Sequence, residues 1–172
     1  MLSDYDPNWP AGFEAAAEDL SRATGAGWVI EHIGSTSIPG LPAKPTIDLA
    51  VRVEQLTDVD LHDHALSRVG FVAIAAGPRT HRVRVRLVGD VRTHVAHFFT
   101  AAQWDTCNQR IFRDWLRLHA EDRERYASAK RAAEVEAIGS RDYTARKTST
   151  VQAIVDRARS ARGLPSVDVW DK

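Results

Sequence analysis

The chain has 172 residues, 44% hydrophobic and 27% charged, which is typical of a globular domain with one core. Lysine plus arginine equals aspartate plus glutamate, at 23 residues each, and this balance argues against a nucleic-acid partner because such proteins are usually basic. The single cysteine rules out a disulfide framework and no apolar run reaches the roughly 20 residues that span a bilayer, so we expect a cytoplasmic protein with no membrane partner.

The first half of the chain alternates between helix and strand patterns. A helix is predicted in PNWPAGFEAAAEDLSRATG, where Pro10 suits the first turn and apolar residues recur at helical spacing. Strands are predicted in GWVIEHIG and TIDLAVRV, on either side of a proline-rich loop. A short helix then ends at Gly70, and FVAIA is predicted to be a third strand.

The second half begins with a predicted hairpin and continues as helices. HRVRVRLV alternates strictly, a Gly-Asp turn follows, and VRTHVAHFF returns as the next strand. Three helices are predicted after Ala102, followed by an irregular tail over about 163–172. The order predicts a single α+β domain, residues 1–172, with a mixed sheet, an N-terminal helix and a C-terminal group of about three helices.

The loop between the first two strands, EHIGSTSIPGLPAKPTIDLAV, carries the first candidate site residues. Gly34 allows close approach of the backbone to a ligand, and Ser35 and Thr36 offer hydroxyl and N–H groups to a phosphate. Lys44 is placed to offset phosphate charge, and Asp48 can hold a divalent metal or accept a proton. The alternative is a plain connection, in which the serine caps a turn and the aspartate bonds backbone groups.

This loop also resembles the signature of the GrpB family of nucleotidyltransferase-fold proteins. The resemblance continues in order through YDPNWPAGFE, RTHVAHFF, FRDWLRLHAEDRERYASAK and Y-T-A-R-K, from residue 4 to about 158. It implies the fold of the polymerase-β-type nucleotidyltransferases. In that superfamily a Gly-Ser pair holds a triphosphate, and carboxylates on the next strand and on a later one hold magnesium. Gly34, Ser35 and Asp48 match this pattern, but Ala50 stands where the second carboxylate is expected, and one acid serves two-metal chemistry poorly.

Histidines are the second group of candidates. His94 and His97 are predicted to lie on opposite strand faces because their offset is odd, and the resemblance favours His97 for the cleft. We expect Asp48 and His97 to be catalytic and, together with His32, to hold a divalent metal (Mg, Mn or Zn), imidazole favouring the softer ions. The alternative is that these histidines satisfy hydrogen bonds in the core. His81 is interpreted as an ordinary strand residue.

Basic side chains form the third group. Arg82 and Arg84 belong to an arginine stripe that can bind phosphate, or that can be a solvated or charged edge face. Lys130 and Lys147 each follow a tyrosine by four residues and fall in segments that resemble the family. They can line a wall for an anionic substrate, or they can cover the core while their ammonium groups stay in water.

These residues support three hypotheses about function. In the first, the protein binds a nucleotide or another phosphorylated small molecule and transfers a nucleotidyl or related group. In the second, the chain is a catalytically degenerate nucleotide-binding or ligand-binding module, which Ala50 favours. In the third, it is a metal-dependent enzyme with a His/Asp site. The sequence indicates neither the substrate nor the oligomeric state.

Overall fold

The computed structural model describes residues 1–75, 77–136 and 138–169. Its helices are α1 (Trp9–Thr24), α2 (Leu56–Leu61), α3 (Asp63–Arg68), α4 (Ala101–Trp104), α5 (Asn108–Leu118), α6 (Ala120–Glu136) and α7 (Ser140–Ser160). Its strands are β1 (Val29–Ile33), β2 (Ile47–Val53), β3 (Phe71–Ala73), β4 (Arg82–Val88) and β5 (Val91–Thr100). A short 3₁₀ turn, Ser35–Ser37, follows β1. The predicted α+β class is confirmed, although the short helix before Gly70 divides into α2 and α3.

The strands form one mixed sheet with the order β1-β2-β5-β4-β3. β2 and β5 run parallel, and the other neighbouring strands run antiparallel. The predicted hairpin is the β4–β5 pair. Residues directly opposite one another in neighbouring strands share a face of the sheet, so the register decides which side chains can meet.

One face of the sheet packs against α1, α2 and α3. Leu49 and Val51 of β2 and Phe98 of β5 contribute to this core, together with Leu20 of α1 and Leu66 of α3. The apolar residues of β2 alternate with Asp48 and its neighbours, as the sequence pattern predicted. We call this side the α1 face.

The other face, which we call the C-terminal face, packs against the helices that follow β5. Ala50 and Phe99 lie there against Trp104 and Cys107. The proline-rich loop joins the same side, where Ile38 and Leu41 pack among α5, α6 and α7. The loop, the C-terminal face and α6–α7 therefore surround the Asp48 side chain where it projects from the sheet. Within the described residues, no helix has both the length and the apolar character needed to cross a membrane.

Candidate functional site

The backbone at Gly34 lies directly against Asp48. Ile33 pairs with Asp48 in the antiparallel β1–β2 ladder, so the chain turns away from the sheet beside the carboxylate. Gly34 has a φ of 70°, and a Cβ added there would lie 2.2 Å from Asp48 Oδ2. That distance is far inside van der Waals contact. Glycine is therefore required both by the backbone conformation and by the closeness of the acid.

The 3₁₀ turn after Gly34 is held from within the protein and leaves one hydroxyl free. Thr36 is buried, and its hydroxyl lies 3.0 Å from His32 Nε2. Arg117 of α5 donates two hydrogen bonds to the Ser37 carbonyl, at 3.2 and 2.8 Å. In the described part of the chain, the half-buried Ser35 hydroxyl has no hydrogen-bond partner. Ser35 is thus available to a ligand, whereas Thr36 has a supporting role.

A pair of histidines lies beside Asp48 on the C-terminal face. His97 Nε2 is 3.9 Å from Asp48 Oδ1, and His97 Nδ1 is 3.0 Å from His81 Nε2. His81 stacks on Phe99, and burial, followed by the neighbouring His97, lowers the pKa of His81 to about 3. His81 is therefore neutral. The carboxylate that faces Nε2 of His97 favours a proton on that nitrogen, so that Nδ1 accepts a hydrogen bond from His81.

His32 lies on the opposite side of the sheet from this pair. It is in register with Leu49, whose side chain is in the α1 core, and its ring stacks on Phe13 with centroids 4.8 Å apart. Burial lowers the pKa of His32 to about 4, and two arginines of α5 add to this effect against the opposing charge of Asp48. The structure thus brings His97, but not His32, to the site face of Asp48.

Lys44, Lys130 and Lys147 converge around two tyrosine rings, near the turn at Gly34 and Asp48 that we call the Gly34 corner. The Lys44 ammonium lies 3.8 Å from the centre of the Tyr143 ring, and that of Lys147 lies 4.7 Å from the same ring. The Lys130 ammonium lies 5.1 Å from the centre of the Tyr126 ring. Each ammonium group is thus within cation–π range of an aromatic face, and the two rings hold three cations close together.

Lys130 is the buried member of this lysine cluster. It is 2% exposed and donates a hydrogen bond to the Pro42 carbonyl. Burial, followed by the charges of Lys147 and Lys44, lowers the pKa of Lys130 to about 7, while Asp48 acts in the opposite direction. The lysine cluster and Asp48 are therefore close enough to influence one another.

Tyr143 adds a buried polar group to the cluster. Tyr143 is 5% exposed, and its hydroxyl has no hydrogen-bond partner among the described residues. Burial raises the pKa of this hydroxyl, with smaller effects from Tyr126 and Glu134. Glu134 also lies 3.8 Å from the Lys44 ammonium and accepts the Leu2 N–H. Tyr143 therefore stays a neutral potential donor, and Glu134 offsets part of the charge of Lys44.

Comparison with known proteins assigns the chain to a family. A family model described as GrpB protein matches residues 1–157. The chain belongs to the GrpB family. A UPF0157 protein of Streptomyces coelicolor is 39% identical over 163 residues, which cover 94% of this chain and 85% of that protein. The crystal structure of GrpB from Enterococcus faecalis is 28% identical and superposes with a TM-score of 0.85, covering 95% of this chain and 99% of that one.

This GrpB chain also has the fold of the nucleotidyltransferases. A structure of the Cid1 poly(U) polymerase superposes with a TM-score of 0.58 at 14% identity, covering 86% of this chain and 50% of that one. At this identity the likeness concerns the fold alone. The family and the fold that the sequence predicted are both confirmed.

The GrpB site does not have the ligands of a two-metal centre. Ala50 is fully buried against Phe99 and Trp104 in the position where a second acid is expected. Asp48 is the carboxylate that β2 contributes, and Glu31, opposite Ala50 on β1, is paired with Arg110 and Arg113. No group of three or more His, Cys, Asp or Glu side chains among the described residues can hold a metal ion. The expectation that Asp48, His97 and His32 share one ion is not supported, because the sheet separates His32 from the other two.

Arg82 and Arg84 lie on the face of the sheet opposite Asp48, and not at the phosphate site that the sequence suggested. Both are on the α1 face, because Arg84 is in register with Ala96 and Arg82 with Phe98. Arg84 is 6% exposed and its Nε donates to Asp63 at 2.8 Å, and Arg82 pairs with a carboxylate of α2. The structure does not bring these arginines to Asp48, so we leave them out of the GrpB site.

The sequence did not predict that His81 contacts His97, or that three of the four lysines lie together. His81 is sixteen residues from His97, and only the β4–β5 register shows that the two rings meet. The GrpB chain contains four lysines among its 23 basic residues, and three of them form the lysine cluster. The fourth, Lys172, is outside the described residues. This unequal use of lysine and arginine was visible in the composition.

Proposed function

We propose that this GrpB protein binds a nucleotide or another phosphorylated small molecule between the Gly34 corner and α6–α7. Ser35 and the lysine cluster hold the phosphoryl groups, and Asp48 with His97 lies beside the part of the ligand that reacts or is recognised. The cytoplasmic location and the divalent metal stay predictions.

The observation that carries the proposal is the convergence of three lysines around two tyrosine rings. The nearby acids are Asp48 and Glu134, so the charges balance while Lys130 is neutral, and one positive charge is in excess once Lys130 is protonated. A buried ammonium group is costly unless an anion joins it. A phosphorylated ligand supplies that anion, and the free Ser35 hydroxyl supplies a donor next to it.

Nucleotides are the first ligands to test, because of the shared fold. The Cid1 poly(U) polymerase has been solved with Mg 3′-dATP bound and with MgGTP bound. In this chain Asp48 and His97 lie on the parallel β2–β5 pair and share one face of the sheet.

A second function, general-base chemistry at Asp48, is supported by the His81 contact. The hydrogen bond from His81 fixes one tautomer and one ring orientation of His97, so that the Nε2–H of His97 faces the Asp48 carboxylate, which is the group that accepts a proton. Proton transfer from a ligand hydroxyl or a water fits this geometry without a second acid at Ala50. The catalytically degenerate binding module is the alternative in which His81 and His97 only support the pocket.

The test is ligand-dependent stabilisation followed by calorimetry. Nucleoside mono-, di- and triphosphates are screened by thermal unfolding, with and without Mg²⁺ or Mn²⁺. A ligand at one hundred times its dissociation constant stabilises the folded state by about 2.7 kcal/mol. For a chain of this size, that amount raises the melting temperature by about 5–10 °C.

Variants then separate specific binding from general effects. Asp48→Asn is expected to change the affinity or abolish turnover, because the carboxylate borders the corner. Asp90→Asn removes an exposed acid from the β4–β5 turn and is the matched control. If no phosphorylated compound stabilises the protein, or if both variants behave alike, the proposal fails. If Asp48→Asn abolishes turnover and the ligand still binds, the result favours an enzyme over a binding module.

A further inference from the structure

We propose that the site binds the phosphoryl groups of its ligand as a free polyanion, and that the lysine cluster replaces the divalent cation that usually neutralises them. The inference rests on the proposed function and adds that the ligand binds without a divalent metal ion on its phosphates. In nucleotidyl and phosphoryl transfer, bound metal ions ordinarily bridge the phosphate oxygens and neutralise their charge. In this chain the lysine cluster provides that charge.

The first argument is the shortage of acids. Hard divalent cations are held by carboxylates, usually with the phosphates of the substrate. Asp48 borders the Gly34 corner, and the next position on the same face of β2 is the buried Ala50. Glu134 is engaged with Lys44 and with the N–H of Leu2. Glu31, which lies opposite Ala50 on the same face of the sheet, is paired with Arg110 and Arg113. A dication at the corner would thus have one carboxylate to oppose the repulsion of the lysine cluster.

The second argument is the geometry of the cations. Lys44 and Lys147 approach the Tyr143 ring from 3.8 and 4.7 Å, and both side chains are partly exposed, so a ligand can reach them. Lys130 lies behind them, buried and fixed to the Pro42 carbonyl. A charge in such a dry position is weakly screened and acts on an anion it does not touch. Two lysines therefore contact the anion, and the third attracts it from within.

The third argument is the choice of lysine over arginine. The chain places three of its four lysines in this cluster. An ammonium group is a compact point charge with freely rotating donors, closer to a small cation than the planar guanidinium fork is. Burial and the neighbouring lysines hold the pKa of Lys130 near 7, so an arriving anion, which raises it, causes uptake of a proton. Lys44, Lys147 and Asp48 are the charged groups that act on Lys130.

The experiment titrates the protein with inorganic tripolyphosphate and with ATP, once in EDTA and once in excess Mg²⁺. We expect both probes to bind in EDTA, with Mg²⁺ weakening binding because it competes for the phosphates. Calorimetry in two buffers of different ionisation enthalpy is expected to show proton uptake near pH 7.5. Lys147→Met is expected to weaken binding in EDTA at least about tenfold, which corresponds to about 1.4 kcal/mol.

Controls and outcomes separate this inference from the proposed function. Arg68→Met, which removes one exposed positive charge on α3, is expected to leave the affinity in EDTA unchanged within about twofold. Binding that appears only with Mg²⁺ or Mn²⁺ and vanishes in EDTA overturns the inference while the proposed function stands. Binding in neither condition overturns both. Equal losses in Lys147→Met and Arg68→Met also overturn the inference, since the effect would then be one of net charge.

Discussion

Replacing Lys130 with methionine should make the protein more stable at neutral pH and a poorer ligand binder. Lys130 is 2% exposed, and its pKa falls from an ordinary 10.5 to about 7. Because each pKa unit corresponds to about 1.36 kcal/mol, keeping this lysine in the folded protein costs about 4–5 kcal/mol at pH 7. Methionine fills a similar volume and removes that cost. The substitution also leaves the Pro42 carbonyl unpaired, which costs about 1–3 kcal/mol.

The net effect is about 2 kcal/mol of added stability, or a rise in melting temperature of about 4–8 °C. The effect has a definite dependence on pH. Above pH 7 the unfolded chain still holds the lysine proton, whereas the folded chain has lost it. The unfolded state therefore binds more protons, and wild-type stability rises relative to Lys130→Met by about 1.36 kcal/mol per pH unit up to about pH 10. The two proteins become similar near pH 9.

The assay is urea unfolding of both proteins at pH 7, 8 and 9. Arg131→Met, one residue further along α6, removes an exposed charge and serves as the control, with an expected change within about 0.5 kcal/mol at every pH. A loss of stability in Lys130→Met at pH 7, or a difference from wild type that does not vary with pH, would refute the reasoning. Lys130 would then be a structural residue whose charge is well compensated.

Three further predictions test the geometry of the site. Gly34→Ala should cost about 2–3 kcal/mol more than Gly89→Ala in urea unfolding, because both glycines have positive φ but only Gly34 has a carboxylate 2.2 Å from the added Cβ; equal costs would contradict the collision. His81→Phe keeps an aromatic ring in place but should shift the side-chain ¹⁵N resonances of His97, because His97 Nδ1 loses its hydrogen bond; unchanged resonances would show that the contact is not formed. Arg84→Met should lower the free energy of unfolding by about 2 kcal/mol and leave ligand affinity unchanged within about twofold, because the ion pairs of Arg84 are on the α1 face. A tenfold loss of affinity would show that Arg84 belongs to the site.

The sequence predicted those features that depend on local pattern. Alternation placed Asp48 on the face opposite Leu49, and the odd offset placed His94 and His97 on opposite faces, as the register confirms. In each case the information is contained in one strand. Gly34 was predicted to let a ligand approach the backbone, whereas in the structure Asp48 is the group that lies against this glycine.

The sequence could not predict which faces meet across the sheet. The arginine stripe was visible in β4, but only the β4–β5 register decides that Arg84 lies on the α1 face. His32 was misplaced for the same reason, since the antiparallel register of β1 puts it beside Leu49. The convergence of Lys44 with Lys147 depends on how the loop packs against α7, a contact between segments about one hundred residues apart.

The parallel pairing of β2 and β5 has a consequence for how the protein folds. Residues 54–90 separate the two strands, and this stretch contains α2, α3 and the first strand of the hairpin. Pairings distant in sequence form slowly, because the intervening segment must first be closed into a loop. A nascent chain released only as far as β4 would therefore expose the inner edge of β2 and could not assemble the neighbourhood of Asp48 and His97. Ligand-binding competence should thus arise late, after β5 has docked between its two neighbours.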